Sequence, residues 1–300
     1  MKLKAHNIAV LLFLIAPIYS WAKDVATASK HYEERFSISQ GGELDLDADF
    51  SGFEIEIWDK NEVFISGDVN IEAGSQKKAD KLVESFTVNM SKSGNTVKCE
   101  VSLGGDNTWN SNGSTEMDVE FVIKAPSWIL VNANISFGKL DFSALTNANI
   151  DMEYGSLKAG AFEGNNNNLN SSFGSASIDT FSGGKVDNAY GEVSIGTLDG
   201  NAEVENSYGE LNIQSLSASV KNLDVENSFG ETNINIPSLL TYDIDSESSF
   251  GEVKIKGKWN ERSQESDFQD EDKKGTLGTG TSNGTIEVEC SFGEVKIDQN

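Results

Sequence analysis

Few side chains in this 300-residue sequence have the type and spacing for chemistry. Of its two histidines only His31 lies beyond residue 22, in a stretch that reads as extended leader. One imidazole argues against a His-based triad and against a His-ligated metal site. The two cysteines, Cys99 and Cys290, invite a disulfide in an oxidising compartment. Carboxylates are plentiful, and three sets have regular spacing. Asp45, Asp47 and Asp49, with Glu56 eleven residues after Asp45, follow the spacing of a calcium loop, but Phe50 stands where such a loop needs Gly. A strand with an outward acidic face is the favoured reading. A second set follows a recurring glycine: Glu192, Glu210, Glu231, Glu252 and Glu294. The third is the run Glu265-Ser266-Asp267-Phe268-Gln269-Asp270-Glu271-Asp272.

The elements that position these groups come from a repeat. An aromatic followed by Gly recurs at Phe137-Gly138, Tyr154-Gly155, Phe173-Gly174, Tyr190-Gly191, Tyr208-Gly209, Phe229-Gly230, Phe250-Gly251 and Phe292-Gly293. Successive glycines are 17, 19, 17, 18, 21, 21 and 42 residues apart, so the last interval holds either a degenerate repeat or a long insertion. Four positions before the aromatic stand Ala133, Ile150, Leu169, Val186, Val204, Val225, Ser246 and Val288, aliphatic or small except for one serine. Three after it stand Leu140, Leu157, Ala176, Val193, Leu211, Thr232, Val253 and Val295, and five after it mostly isoleucine. Apolar positions two apart mark strands with one buried face.

The inward parity changes across the aromatic, which predicts a corner there, with Gly adopting positive φ or a bulge. Units of 17 to 21 residues cannot bury a core alone, whereas stacking at ~4.8 Å turns matching positions into continuous columns. The expectation is an all-β chain: a parallel β-solenoid of about eight short rungs over residues 131–300, with the aromatics stacked at the corner. An antiparallel β-sandwich is the alternative. Asn188, Asn206 and Asn227, two before the aromatic, are placed for an amide ladder. Cys290 shares their column, while Cys99 lies several rungs away, beyond the ~7 Å reach of a disulfide, so two reduced buried thiols are expected.

Residues 40–130 read as a less regular β-rich section with one helix over 75–86, where Ala79, Leu82, Val83 and Phe86 share a face; it is expected to cover the open end of the stack. Residues 23–39 read as leader, and 260–284 as a mobile acidic insertion. Residues 1–22 have the parts of a signal peptide: Lys2 and Lys4, an apolar run over 8–18, then Tyr19-Ser20-Trp21-Ala22. The run is about half the ~20 residues of a spanning helix, so cleavage is favoured over an uncleaved anchor. Cleavage leaves 21 basic against 48 acidic residues, a net charge of -27. Such a field repels nucleic acid.

The resemblance to a family rests on Val119-Glu120-Phe121-Val122-Ile123-Lys124-Ala125-Pro126, on Leu130 to Leu140, and on the rungs Ser207 to Ile213, Ser249 to Ile255 and Ser291 to Ile297. Over residues 40–300 the chain resembles the bacterial putative-adhesin domain of exported and envelope proteins, related to head domains of some autotransporter adhesins. The resemblance implies a β-solenoid and an envelope location and brings no established activity.

Taken together, these features lead to an exported protein of the periplasm, cell surface or extracellular space, expected to be monomeric. No catalytic residue, cofactor site or later membrane span is assigned. The carboxylate row after the glycines reads as a solvated face, although neighbours at ~4.8 Å repel by about 0.9 kcal/mol even at the dielectric of water. Glu252 and Glu294 have Lys254 and Lys296 two residues on, whereas Glu192, Glu210 and Glu231 lack such a lysine. Weak Ca2+ or basic-ligand binding along that row is the sharper reading. The functional expectation is a binding or structural surface for an envelope, cell-surface or matrix partner, protein or glycan. A periplasmic maintenance or stress-sensing component is the alternative. A glycan-active β-helix enzyme is disfavoured, because the rungs contain no arginine and their lysines are scattered.

Overall fold

The computed structural model describes residues 25–104, 115–266 and 270–300; residues 1–22, expected to be a signal peptide, lie outside them. Two sheets, of twelve and thirteen strands, face each other across one apolar core. Each rung supplies one strand to each sheet. Gly184–Ala189 lies in one, the chain turns at Tyr190-Gly191, and Glu192–Leu198 lies in the other; Ala202–Ser207 and Glu210–Ile213 repeat the path. Successive rungs pair in parallel without slip, Val186 beside Val204 and Val204 beside Val225. On the other sheet Val193 pairs with Leu211, Leu211 with Thr232, and Thr232 with Val295. Val193, Leu211 and Val253 are buried, so the predicted interior columns form and the antiparallel sandwich does not.

The stack begins earlier than the dipeptide repeat indicates. Glu43–Asp49 and Gly52–Trp58 form a complete rung with its corner at Phe50, and they pair directly with Leu130–Ser136 and Lys139–Thr146. The columns therefore run through the section expected to be less regular. Beyond this rung each sheet is extended by Thr96–Leu103 or Thr115–Pro126, then by antiparallel strands. Ala26–Ser37, in the expected leader, is an edge strand paired with Glu62–Ala73. The helix, Gln76–Ser85, links the outer strands of the two sheets and buries Ala79 and Val83 against them. It thus covers the open end.

At the other end the stacking order departs from chain order. The rung containing Phe292 lies between those of Phe229 and Phe250, since Asn222–Ser228 pairs with Gly284–Ser291, which pairs in turn with Tyr242–Ser249. The 42-residue interval therefore contains an insertion, and the chain returns to fill a vacant slot. The insertion is not the mobile loop its composition predicts. Trp259–Ser266 and Asp270–Leu277 form an antiparallel hairpin docked on Tyr242–Ser249. This contact explains the one serine in the aliphatic column. Ser246 donates to the Lys273 carbonyl at 3.2 Å, and Ser248 to that of Glu271 at 3.0 Å. A hydroxyl is stable there because the neighbouring backbone satisfies it.

Candidate functional site

The corners build the most distinctive surface of the molecule. At each one the residue with positive φ is the aromatic, not the glycine as expected: nine Phe and Tyr residues, Phe50 included, have φ between 53° and 61°. For a bulky L-residue this conformation costs about 1–2 kcal/mol. The glycine is required for a different reason. A Cβ on Gly155, Gly174, Gly191, Gly209 or Gly230 would lie 2.3–2.6 Å from the carbonyl oxygen of the glycine one rung earlier. That oxygen accepts the next backbone N–H, as from Glu210 to Gly191 at 2.9 Å, so the ladder of hydrogen bonds continues through the corner.

The left-handed turn points each ring outward, onto the ring before it. From Phe50 through Phe137, Tyr154, Phe173, Tyr190, Tyr208, Phe229 and Phe292 to Phe250, centroids are 4.8–5.0 Å apart and planes within 10°. The result is one straight aromatic ladder. Its rings are 37–54 % exposed, which sets them apart from the buried aromatics of the core. Each stacked pair returns roughly 0.5–1.5 kcal/mol, comparable to the backbone strain that holds it.

Behind the rings lies the predicted amide ladder. Asn188 donates to Asn206 Oδ1 at 2.8 Å and Asn206 to Asn227 Oδ1 at 2.9 Å; Asn227 reaches Cys290 Sγ at 3.7 Å. Each amide also donates to the corner glycine carbonyl of its own rung, at 2.9–3.1 Å. Thr232, which interrupts an aliphatic column, bonds to Asn206 and Asn227 at 3.2 Å. Both cysteines are free and buried, and burial pushes the Cys99 thiol up to about 12. Neither thiol is a ready nucleophile.

Carboxylates border the ladder on both sides. After the glycines, Glu192, Glu210, Glu231, Glu294 and Glu252 form one row in that spatial order. The altered order gives Glu231 a cation after all. Lys296 lies 2.7 Å from Glu231 and 3.0 Å from Glu294, while Lys254 pairs with Glu252 and Glu294. Hydrogen bonds from these lysines hold the Glu231 and Glu294 carboxyls below the usual range. Glu210 accepts from Asn212 at 2.9 Å. Among the described residues no three acidic, cysteine or histidine side chains are arranged to hold a metal ion.

On the opposite side lies a denser acidic field absent from the sequence reading. Glu203 and Glu205 pair with Asp224 and Glu226, which pair with Glu287 and Glu289. Lys185 bridges Glu203 and Glu205. Desolvation first, then Glu205, Glu289, Asp224 and Glu203, raises the Glu226 carboxyl; desolvation and Glu205 raise Asp187. The signal was available, as an acid-x-acid pattern two residues apart in successive rungs. Farther along this sheet, Asp45, Asp47, Asn132, Asn134, Asn149 and Asp151 line a shallow depression of about 310 Å3. Asp45 and Asp47 accept from Asn132 and Asn134 there, on a strand as expected. His31 lies elsewhere, exposed and 2.8 Å from Asp68.

This architecture of in-register parallel rungs defines the class of protein. Residues 45–298 match the family described as Toastrack DUF4097, and the chain belongs to that family. No curated protein matches it. Three solved structures are similar over most of the chain. A putative cell adhesion protein from Clostridium sporogenes is 13% identical, with 90% of this chain and 100% of that one covered and a TM-score of 0.21. A putative adhesin from Bacteroides fragilis is 11% identical, with 90% and 97% covered and a TM-score of 0.37. A putative lipid binding protein from Parabacteroides distasonis is 11% identical, with 89% and 96% covered and a TM-score of 0.35.

Proposed function

We propose that the chain is a non-enzymatic exported protein of the cell envelope, whose solenoid holds a binding edge rigid for a partner at the surface. The observation that carries this reading is the aromatic ladder: nine half-exposed rings in one uninterrupted line. Contiguous apolar surface of this kind marks interaction sites. Its rigidity follows from stacked backbone and an amide ladder, so little freedom is lost on binding. The described side chains around it are acids, amides, hydroxyls and lysines; His31 lies elsewhere and both cysteines are buried, so among them no imidazole or thiol reaches the rings, which supports a binding role over a chemical one. The N-terminal basic, apolar and small-residue segments support export.

The test uses intact cells. Surface protease should cut the protein without lysis, and cells carrying Tyr190→Ser with Tyr208→Ser should display it equally while attaching less to matrix-coated surfaces. Full protection from protease, or unchanged attachment by the displayed variant, would overturn the proposal.

A further inference from the structure

The ladder has a geometry that narrows what can lie on it. Because the rings stack face to face, the faces between neighbours are consumed. What the molecule offers along its length is a ribbon of ring edges, whose hydrogen-bearing rim is the positive part of the aromatic quadrupole. The row immediately before the rings is small: Ser172, Ala189, Ser207, Ser228, Ser291 and Ser249 are neighbours on adjacent strands. Past this flat shelf stand Asp187, Glu205, Glu226 and Glu289, and across the ladder stand Glu192 and Glu210. The strip is therefore ring edge and small, mostly hydroxyl-bearing side chains along its middle and negative along both margins.

Period decides which ligand fits. An extended peptide repeats its same-face side chains every ~6.6–6.8 Å, out of step with rungs 4.8–5.0 Å apart. A rigid fused or linked ring system has no such repeat and can span several rungs at any offset. We propose that the ladder around Tyr190, Tyr208 and Phe229 is a binding strip for elongated, flat, cationic aromatic molecules, lying lengthwise with their charge toward the bordering carboxylates. This inference rests on the ladder being the binding edge and adds the class of ligand.

Thioflavin T, a flat benzothiazolium cation, is the probe, measured by equilibrium dialysis and fluorescence on full-length protein shown to be monomeric by sedimentation. Saturable binding is expected, several-fold weaker in high salt. Tyr190→Ser with Tyr208→Ser should lose most of it. A variant with Asp187→Asn, Glu205→Gln and Glu226→Gln keeps every ring and should still bind several-fold more weakly. The anion anilinonaphthalene sulfonate should bind far less than the cation. No dye bound at low salt, binding indifferent to both variants, or equal uptake of the anion would overturn the assignment. If purified protein ignores the cation while cell attachment still depends on the rings, the ligand class is wrong and the envelope role stands.

Discussion

Replacing Gly209 by Ala tests the corner most sharply, because the collision is with backbone. The new Cβ would lie 2.6 Å from the Gly191 carbonyl oxygen, 2.4 Å from Asn188 Nδ2 and 3.1 Å from Asn206 Oδ1. Ordinary contact requires about 0.8 Å more from that oxygen, a shift that must open the rung spacing or displace the amide ladder. The bonds at risk are Glu210 N–H to Gly191 at 2.9 Å and Asn188 to Asn206 at 2.8 Å. Overpacking costs about 1–3 kcal/mol and each buried polar group left unpaired about 1–3, so with one group unpaired the loss should be roughly 2–6 kcal/mol. Two glycines serve as controls. Gly41 has φ +76 and open space around its Cβ position, so Ala there carries only the left-handed penalty of about 1–2 kcal/mol. Gly74 also has open space and no such φ, and Ala there should stay within ~0.5 kcal/mol. Urea unfolding followed by circular dichroism, compared as whole curves because stacked repeats need not unfold in one step, ranks the three. If Gly209→Ala costs less than Gly41→Ala, the corner reasoning fails.

Asn206→Ala should destabilise by about 2–3 kcal/mol in the same assay, since it breaks the amide ladder in both directions; a loss below ~1 kcal/mol would make the ladder incidental. Lys296→Gln should raise the titration midpoints of Glu231 and Glu294, read by carboxyl NMR, while the urea midpoint moves little because solvent screens these half-exposed pairs. Both carboxyls are depressed in the folded state, so the stability they add is present above the unfolded value and is lost as pH falls through the folded one. Glu226 has the opposite sign. Its raised folded value means that it opposes folding at neutral pH, so Glu226→Gln should stabilise there, with the gain shrinking as pH falls through the folded value and gone below the unfolded one. A gain independent of pH would exclude this cause.

The columns were legible in the sequence because stacking repeats one burial pattern at every rung: Val186, Val204 and Val225, then Val193 and Leu211, announce themselves by position alone. The Phe50 rung was hidden only because Ser51 takes the glycine slot; Leu46, Ala48, Phe53 and Ile55 already matched the columns. Stacking order was not legible. Ser249 to Ile255 and Ser291 to Ile297 are identical heptapeptides, so local pattern cannot say which lies next to Phe229. The fate of Glu231 depended on that order, since its cation comes from Lys296, 65 residues away. The insertion misled for a related reason. Its polarity suits a loop, yet a hairpin whose outer strand is mostly exposed is stable once Ser246 and Ser248 help fix the inner strand to the end of the stack.

Paired cysteines on the sheet beside the ladder test the stack itself most directly. Ser228 and Ser291 are register partners on adjacent parallel strands, ~4.8 Å apart and within disulfide range, whereas Ser228 and Ser249 lie two slots apart at ~9.6 Å. Under mild oxidation Ser228→Cys with Ser291→Cys should cross-link and Ser228→Cys with Ser249→Cys should not, as read by peptide mass spectrometry. The reverse result would place Phe250 next to Phe229 and contradict the order in which the rings are stacked.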